Sequence, residues 1–74
     1  MTPRRGQIVL KQIGARINSA RKNRELSQQA VADAAGINRQ YLSRVEHGSE
    51  NVSILTLVRI AEALDTPLRN LLCD

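Results

Sequence analysis

Gly36 constrains the fold of this chain more than any other position. The stretch around it, residues 26–48, reads LSQQAVADAAGINRQYLSRVEHG and holds two short amphipathic helical patterns that meet at the glycine. One helix must therefore turn sharply against a second. Ser27 starts the first pattern as a hydroxyl N-cap, and Val31, Ala32 and Ala35 give it a narrow apolar stripe. Gly36 supplies the left-handed backbone conformation that ends helices at low steric cost. Asn38 caps the second pattern. There Leu42 and Val45 turn inward, which leaves Arg39, Gln40, Ser43 and Arg44 on the outward face, side chains suited to phosphates and base edges.

The remaining elements follow from the same periodicity. Residues 1–6, MTPRRG, lack apolar periodicity and read as a flexible basic arm, with a single domain occupying 7–74. Leu10, Ile13, Ile17 and Ala20 describe a first helix over about residues 7–23. Gly14 inside it is a small cost that close packing against a neighbouring helix offsets. After the two central helices, residues 47–52 form a polar connector in which Gly48 is the helix stop. Ser53 caps a fourth helix lined on one side by Ile54, Leu57, Ile60, Ala61 and Leu64. Thr66 and Pro67, a capping hydroxyl followed by proline at the first helical position, start a short fifth helix carrying Leu68, Leu71 and Leu72. No segment alternates with a period of two. The expected fold class is all-α, five helices around one core.

Length and composition narrow the function classes. With 74 residues the chain is expected to be used up by one small domain, with no room for a separate sensing or catalytic domain. One tyrosine and no tryptophan or phenylalanine leave no aromatic platform for unpaired bases, which weighs against single-strand and RNA-recognition modules. Eleven basic against seven acidic residues, with a pI near 10.2, favour a polyanionic partner. Arginine outnumbers lysine nine to two, as suits bidentate recognition. Apolar runs of three or four residues are too short for a membrane span or an export signal. Cys73 is the single cysteine, so no intrachain disulfide can form and it reads as an incidental thiol. One histidine and one distant cysteine make no metal site, and no phosphate-cradling loop, activated nucleophile or convergent carboxylate pair is present. Neither enzymatic activity nor a cofactor is expected.

At this point the string from LSQ through AxxAG to YLSRVEHG, followed by SILTLVRIAEAL, resembles the phage repressor and Cro type of helix-turn-helix transcription regulator over about residues 8–72. Within that class ENVSILTLVRIAEAL is similar to the controller proteins of restriction-modification systems, with Val52 where many other members carry proline. The resemblance implies a lambda-repressor-like domain that binds double-stranded operator DNA as a two-fold homodimer on a pseudo-palindromic site, its third helix in the major groove. It places Arg39, Gln40 and Arg44 at the main base-reading positions, with Asn38 just before them and Ser43 beside them. Gln28 falls where members place a glutamine that contacts a phosphate and braces the recognition helix. Glu46 falls where a glutamate pairs with an arginine of the first helix, here Arg21. Tyr41 has two readings, a ring at the core edge with its hydroxyl on a phosphate, or packing alone. His47, Ser49 and Asn51 lie in the following loop, where backbone amides and short polar groups meet phosphates.

Leu55 and Val58 project from a different side of the fourth helix than its inward stripe, and Leu68 or Leu72 extends that apolar patch. In the family this C-terminal region supplies the dimer contact, so these four residues are the expected interface. The expected partners are operator DNA, a second copy of the chain and RNA polymerase, with no membrane. The implied location is the cytoplasm, on the nucleoid, of a bacterial or phage-encoded protein. The alternative function is an antitoxin or other interaction module of the same fold that acts mainly by covering a protein partner.

Overall fold

The computed structural model describes residues 4–73, which form five helices: α1 (Arg5–Asn23), α2 (Gln28–Ala35), α3 (Arg39–Glu46), α4 (Ile54–Ala63) and α5 (Arg69–Leu72). No strand occurs among the described residues. Packing joins α2 to α4, α1 to α3, α1 to α5 and α2 to α3. Ile17, Leu42, Leu57, Ile60, Leu64 and Leu71 are the largest fully buried side chains, so every element except α2 contributes one, and α2 adds Val31. Among the described residues no helix is long and apolar enough to cross a membrane.

Three of the four expected caps are in place. Ser27, Asn38 and Ser53 have extended backbones, and their side chains accept the N–H groups of Ala30, Tyr41 and Thr56. Each satisfies one of the donors a helix start leaves orphaned. The C-terminal ends of α1 to α4 share one hydrogen-bond pattern, in which two successive N–H groups fold back onto carbonyls of the last turn. At α2 these are Gly36 to Asp33 and Ile37 to Ala32; at α3, Gly48 to Val45 and Ser49 to Arg44. The pattern needs a left-handed residue, supplied there by Gly36 and Gly48 at φ 72° and 75°. At the ends of α1 and α4 the same conformation is taken by Glu25 and Asp65, at φ 56° and 50°. Arg24 joins these two corners through an Nη2 hydrogen bond to the Asp65 carbonyl at 2.8 Å.

Four expectations need correction. Helix α1 begins at Arg5, inside the stretch read as an arm. Gln7 explains it: its Oε1 accepts the Arg4 N–H at 3.2 Å, so the chain caps itself without a Ser or Thr. Residues 1–3 of the expected arm lie outside the described residues. Ile54 is not part of the inward stripe but 62% exposed. A helical side chain leans toward its own N-terminus, so the first residue of α4 leans over the connector and not onto α2.

Val52, read as part of a polar connector, is buried in the core instead. It precedes the Ser53 cap, and Leu57 lies four residues beyond that cap, the two positions of a hydrophobic staple. Thr66 does not cap α5. The wrap at the end of α4 directs its hydroxyl back to the Leu64 carbonyl at 3.3 Å. The Asn70 N–H turns onto the Pro67 carbonyl and the helix starts at Arg69, two residues later than proline at its first position would give.

Candidate nucleic-acid interface

The outer face of α3 is held in place by what happens on its inner face. Leu42 and Val45 are buried there, and between them and α1 no side-chain layer intervenes at Gly14. A Cβ on Gly14 would run into the carbonyl oxygen of Val45 and stand 2.5 Å from that of Glu46. The two backbones are therefore in direct contact, and glycine is required by space and not by backbone conformation.

One helical turn further along α1, a charged cluster closes the same seam. The Glu46 carboxylate, its side chain 2% exposed, accepts Arg21 Nε at 2.9 Å on Oε2 and Arg21 Nη2 at 3.1 Å on Oε1. Oε1 also accepts the side-chain amides of Asn18 at 2.8 Å and Gln28 at 3.3 Å. Arg21 Nη1 completes the set by donating to the Leu26 carbonyl at 2.9 Å. Burial alone would push the Glu46 carboxyl up, but the hydrogen bonds from Arg21, Asn18 and Gln28, with the Arg21 charge, more than offset this. The net shift is downward. The cluster ties α1, the turn after it, α2 and α3 into one unit. Among the described residues no buried side-chain polar atom lacks a partner.

Outward, Asn38, Arg39, Gln40 and Arg44 are exposed, and they line one shallow open depression with Tyr41, Gln29 and Thr56. Ser43 is half-buried beside it. Tyr41 is also half-buried, packed on the core edge, with the Arg44 guanidinium carbon 5.8 Å from its ring centroid. The packing half of its two readings is thus visible in the fold. Arg44 Nε donates to Glu50 Oε2 at 3.1 Å. The arrangement is a row of forked and amide donors on a rigid convex helix, the chemistry that pairs with acceptors at base edges.

The loop residues separate. His47 is exposed, its Nδ1 2.7 Å from the Ser43 carbonyl, so its Nε2 is the ring atom left for another group. Ser49 uses its hydroxyl locally, on the Arg44 carbonyl at 3.2 Å. Asn51 lies on a different side, in a depression with Arg4, Gln7 and Leu10 of the α1 start. Gln28 is half-buried with its amide on Glu46, so its side chain braces α3. Of the C-terminal apolar set, Leu55 is 61% and Leu72 39% exposed. Val58 is half-buried, and Leu68 packs against the core. Ile54 joins the exposed group.

Asn18 and Glu50 escaped sequence reasoning. Asn18 lies three residues before Arg21, one turn away on the same helical face, a spacing that could have flagged it. Glu50 follows Arg44 by six residues across Gly48, a glycine reversal that returns the chain beside the helix end.

Two short helices joined at Gly36, the second braced on α1 by a buried charged cluster and polar on its outer face, form the helix-turn-helix of a DNA-binding regulator. The chain belongs to the helix-turn-helix family, which it matches over residues 17–71. It is similar to control protein C.SmaI of Serratia marcescens, 38% identical over 56 residues that cover 76% of this chain and 67% of that protein. It is also similar to the immunity repressor protein of Bacillus phage phi105, 40% identical over 52 residues, which are 70% of this chain and 36% of the repressor. Among solved structures, the restriction-modification controller protein C.AhdI from Aeromonas hydrophila matches with a TM-score of 0.82. That match is 37% identical and covers 84% of this chain and 94% of the other.

Proposed function

We propose that this protein is a sequence-specific double-stranded DNA-binding transcriptional regulator that acts as a homodimer on a pseudo-palindromic operator, in the role of a restriction-modification controller. The observation that carries this reading is the depression formed by Asn38, Arg39, Gln40 and Arg44 on a helix whose other side is fixed to α1. The likeness to C.SmaI and C.AhdI supports the narrower role. In this reading Arg39, Gln40 and Arg44 read bases, assisted by Asn38 and Ser43. Gln28, Tyr41, His47, Ser49 and Asn51 approach phosphates; the Gln28 amide also braces Glu46, and Ser49 reaches a phosphate by giving up one of its two hydrogen bonds to the Arg44 carbonyl. RNA polymerase is the second macromolecule such a regulator meets.

The exposed Leu55 and Leu72, with half-buried Val58 and Leu68, form the dimer contact, and Ile54 is added to it. A carboxylate placed in such an interface is costly when buried and harmless on an exposed monomer surface. Leu55→Glu is accordingly expected to give a folded monomer whose operator affinity falls by more than about tenfold, a loss of over ~1.4 kcal/mol. Selection from a random duplex library, followed by footprinting, tests the reading as a whole. Two half-sites centred about 10 base pairs apart are expected. Recovery of no preferred sequence, or a Leu55→Glu variant that stays dimeric by sedimentation, would overturn the corresponding part.

A further inference from the structure

The pair formed by Arg44 and Glu50 is held by more contacts than a chance encounter of two surface charges. Ser49 fastens the loop to the end of α3 twice, its N–H and its hydroxyl both donating to the Arg44 carbonyl at 3.0 and 3.2 Å. Gly48 permits this by its left-handed backbone, and it lies so close to α1 that a Cβ there would be 2.6 Å from the Lys11 Cα. The chain thus returns against α1, and the next residue, Glu50, sets its carboxylate 3.1 Å from Arg44 Nε. The Tyr41 ring centroid also lies 5.8 Å from the guanidinium carbon, within cation–π range. The guanidinium thus has both a ring and a carboxylate for neighbours. Ion pairs this exposed contribute little to stability, so what the pair does to Arg44 is geometric and not a matter of folding energy.

Two consequences follow for an arginine on a DNA-facing helix. With Nε engaged, the terminal edge carrying Nη1 and Nη2 is the donor pair left to present, and a planar fork in a fixed plane matches the two adjacent acceptors of guanine. An unpaired flexible arginine, by contrast, is drawn to whichever phosphate is nearest, which adds affinity without sequence information. Pairing with Glu50 cancels the local charge and weakens that pull.

We propose that Glu50 is a specificity-determining positioning residue that acts through Arg44, keeping its guanidinium aimed at a base and away from the phosphate backbone. The proposal rests on the reading of α3 as the base-reading helix.

The test uses the full chain and its selected operator. Arg44→Ala first identifies the base pair that Arg44 reads, as the position where preference is lost. Glu50→Gln is then expected to lower discrimination at that position by about three- to tenfold, while affinity for random duplex holds or rises. In the Arg44→Ala background Glu50→Gln is expected to change discrimination nowhere, because its effect passes through Arg44. An equal gain in affinity for operator and random duplex, with discrimination unchanged, would show that Glu50 supplies bulk charge only and overturn the proposal. So would a loss of discrimination that persists without Arg44. Should Arg44→Ala alter preference at no position while the wild type still selects a sequence, the role of Arg44 fails and the proposal with it, but α3 as a reader stands. If the wild type selects nothing, the reading of α3 itself falls.

Discussion

Helix α3 takes part in two arginine–glutamate pairs, one on each side, with the same chemistry in opposite settings. Arg21 and Glu46 face the core, with side chains 12% and 2% exposed. Arg44 and Glu50 face outward at 52% and 32%. Their closest approaches, 2.9 and 3.1 Å, hardly differ. Solvent makes the distinction. The inner carboxylate has given up water and depends on every donor around it, whereas the outer one keeps water as an alternative partner at all times. The inner pair is therefore part of the architecture, and the outer pair is available for recognition.

Glu46→Ala separates the two sides most strongly. It strands a buried guanidinium together with the amides of Asn18 and Gln28, and is expected to cost about 3 to 5 kcal/mol of stability. Arg21→Ala should behave alike, and the double variant should lose less than the sum in a thermal or denaturant double-mutant cycle. The same site sets an acid limit. Because the folded Glu46 carboxyl titrates below its ordinary value of 4.5, the unfolded chain holds more protons in the interval between the two values. The stability it provides is fully present above the ordinary value and is lost as pH falls through the lower folded one. Acid unfolding of Glu46→Gln should lack this contribution, which a comparison of both proteins across that interval measures.

Gly14→Ala attacks the seam without touching a charge. Its methyl group would meet two backbone carbonyls that have no rotamer to yield, so a loss of about 3 kcal/mol is expected from denaturant titration. Arg39→Ala, Gln40→Ala and Arg44→Ala reverse the pattern. Unfolding temperatures should barely move, while operator affinity drops by roughly 1 to 3 kcal/mol for each base contact removed, at particular positions of the site. The smallest effect belongs to the outer pair as a structural element. Glu50→Gln should change stability by no more than about 1 kcal/mol, and a larger loss would mean that the outer pair also supports the fold.

What the sequence disclosed follows the range of the interactions involved. The Ser27, Asn38 and Ser53 caps and the Gly36 and Gly48 stops obey local rules that act within one helical turn, and a reader of residues can apply them directly. Ile54 and Val52 followed end effects of α4, the lean of a first helical residue and a staple across the Ser53 cap, which a search for helical periodicity alone does not register. Thr66 satisfied the capping rule in composition, but the end of α4 took its hydroxyl first. The meeting of Arg21 with Glu46 was reachable through resemblance alone, and the convergence of the Asn18 and Gln28 amides on the same carboxylate oxygen shows only in the folded structure. For Gln28 resemblance implied both a phosphate contact and a brace on the recognition helix, and the amide on Glu46 is that brace.

Gly14 has a mechanical consequence for the whole domain. A layer of interlocking side chains can settle into more than one packing, and shifts between such packings are how many proteins re-aim a helix. Where two backbones touch there is no such layer, so α1 and α3 have a single seating. A ligand or partner pushing on α1 would turn the reading face as a rigid plate and leave its aim unchanged. A signal that reaches DNA through this domain then cannot act by re-seating α3 on α1 and has to move the domain as a whole.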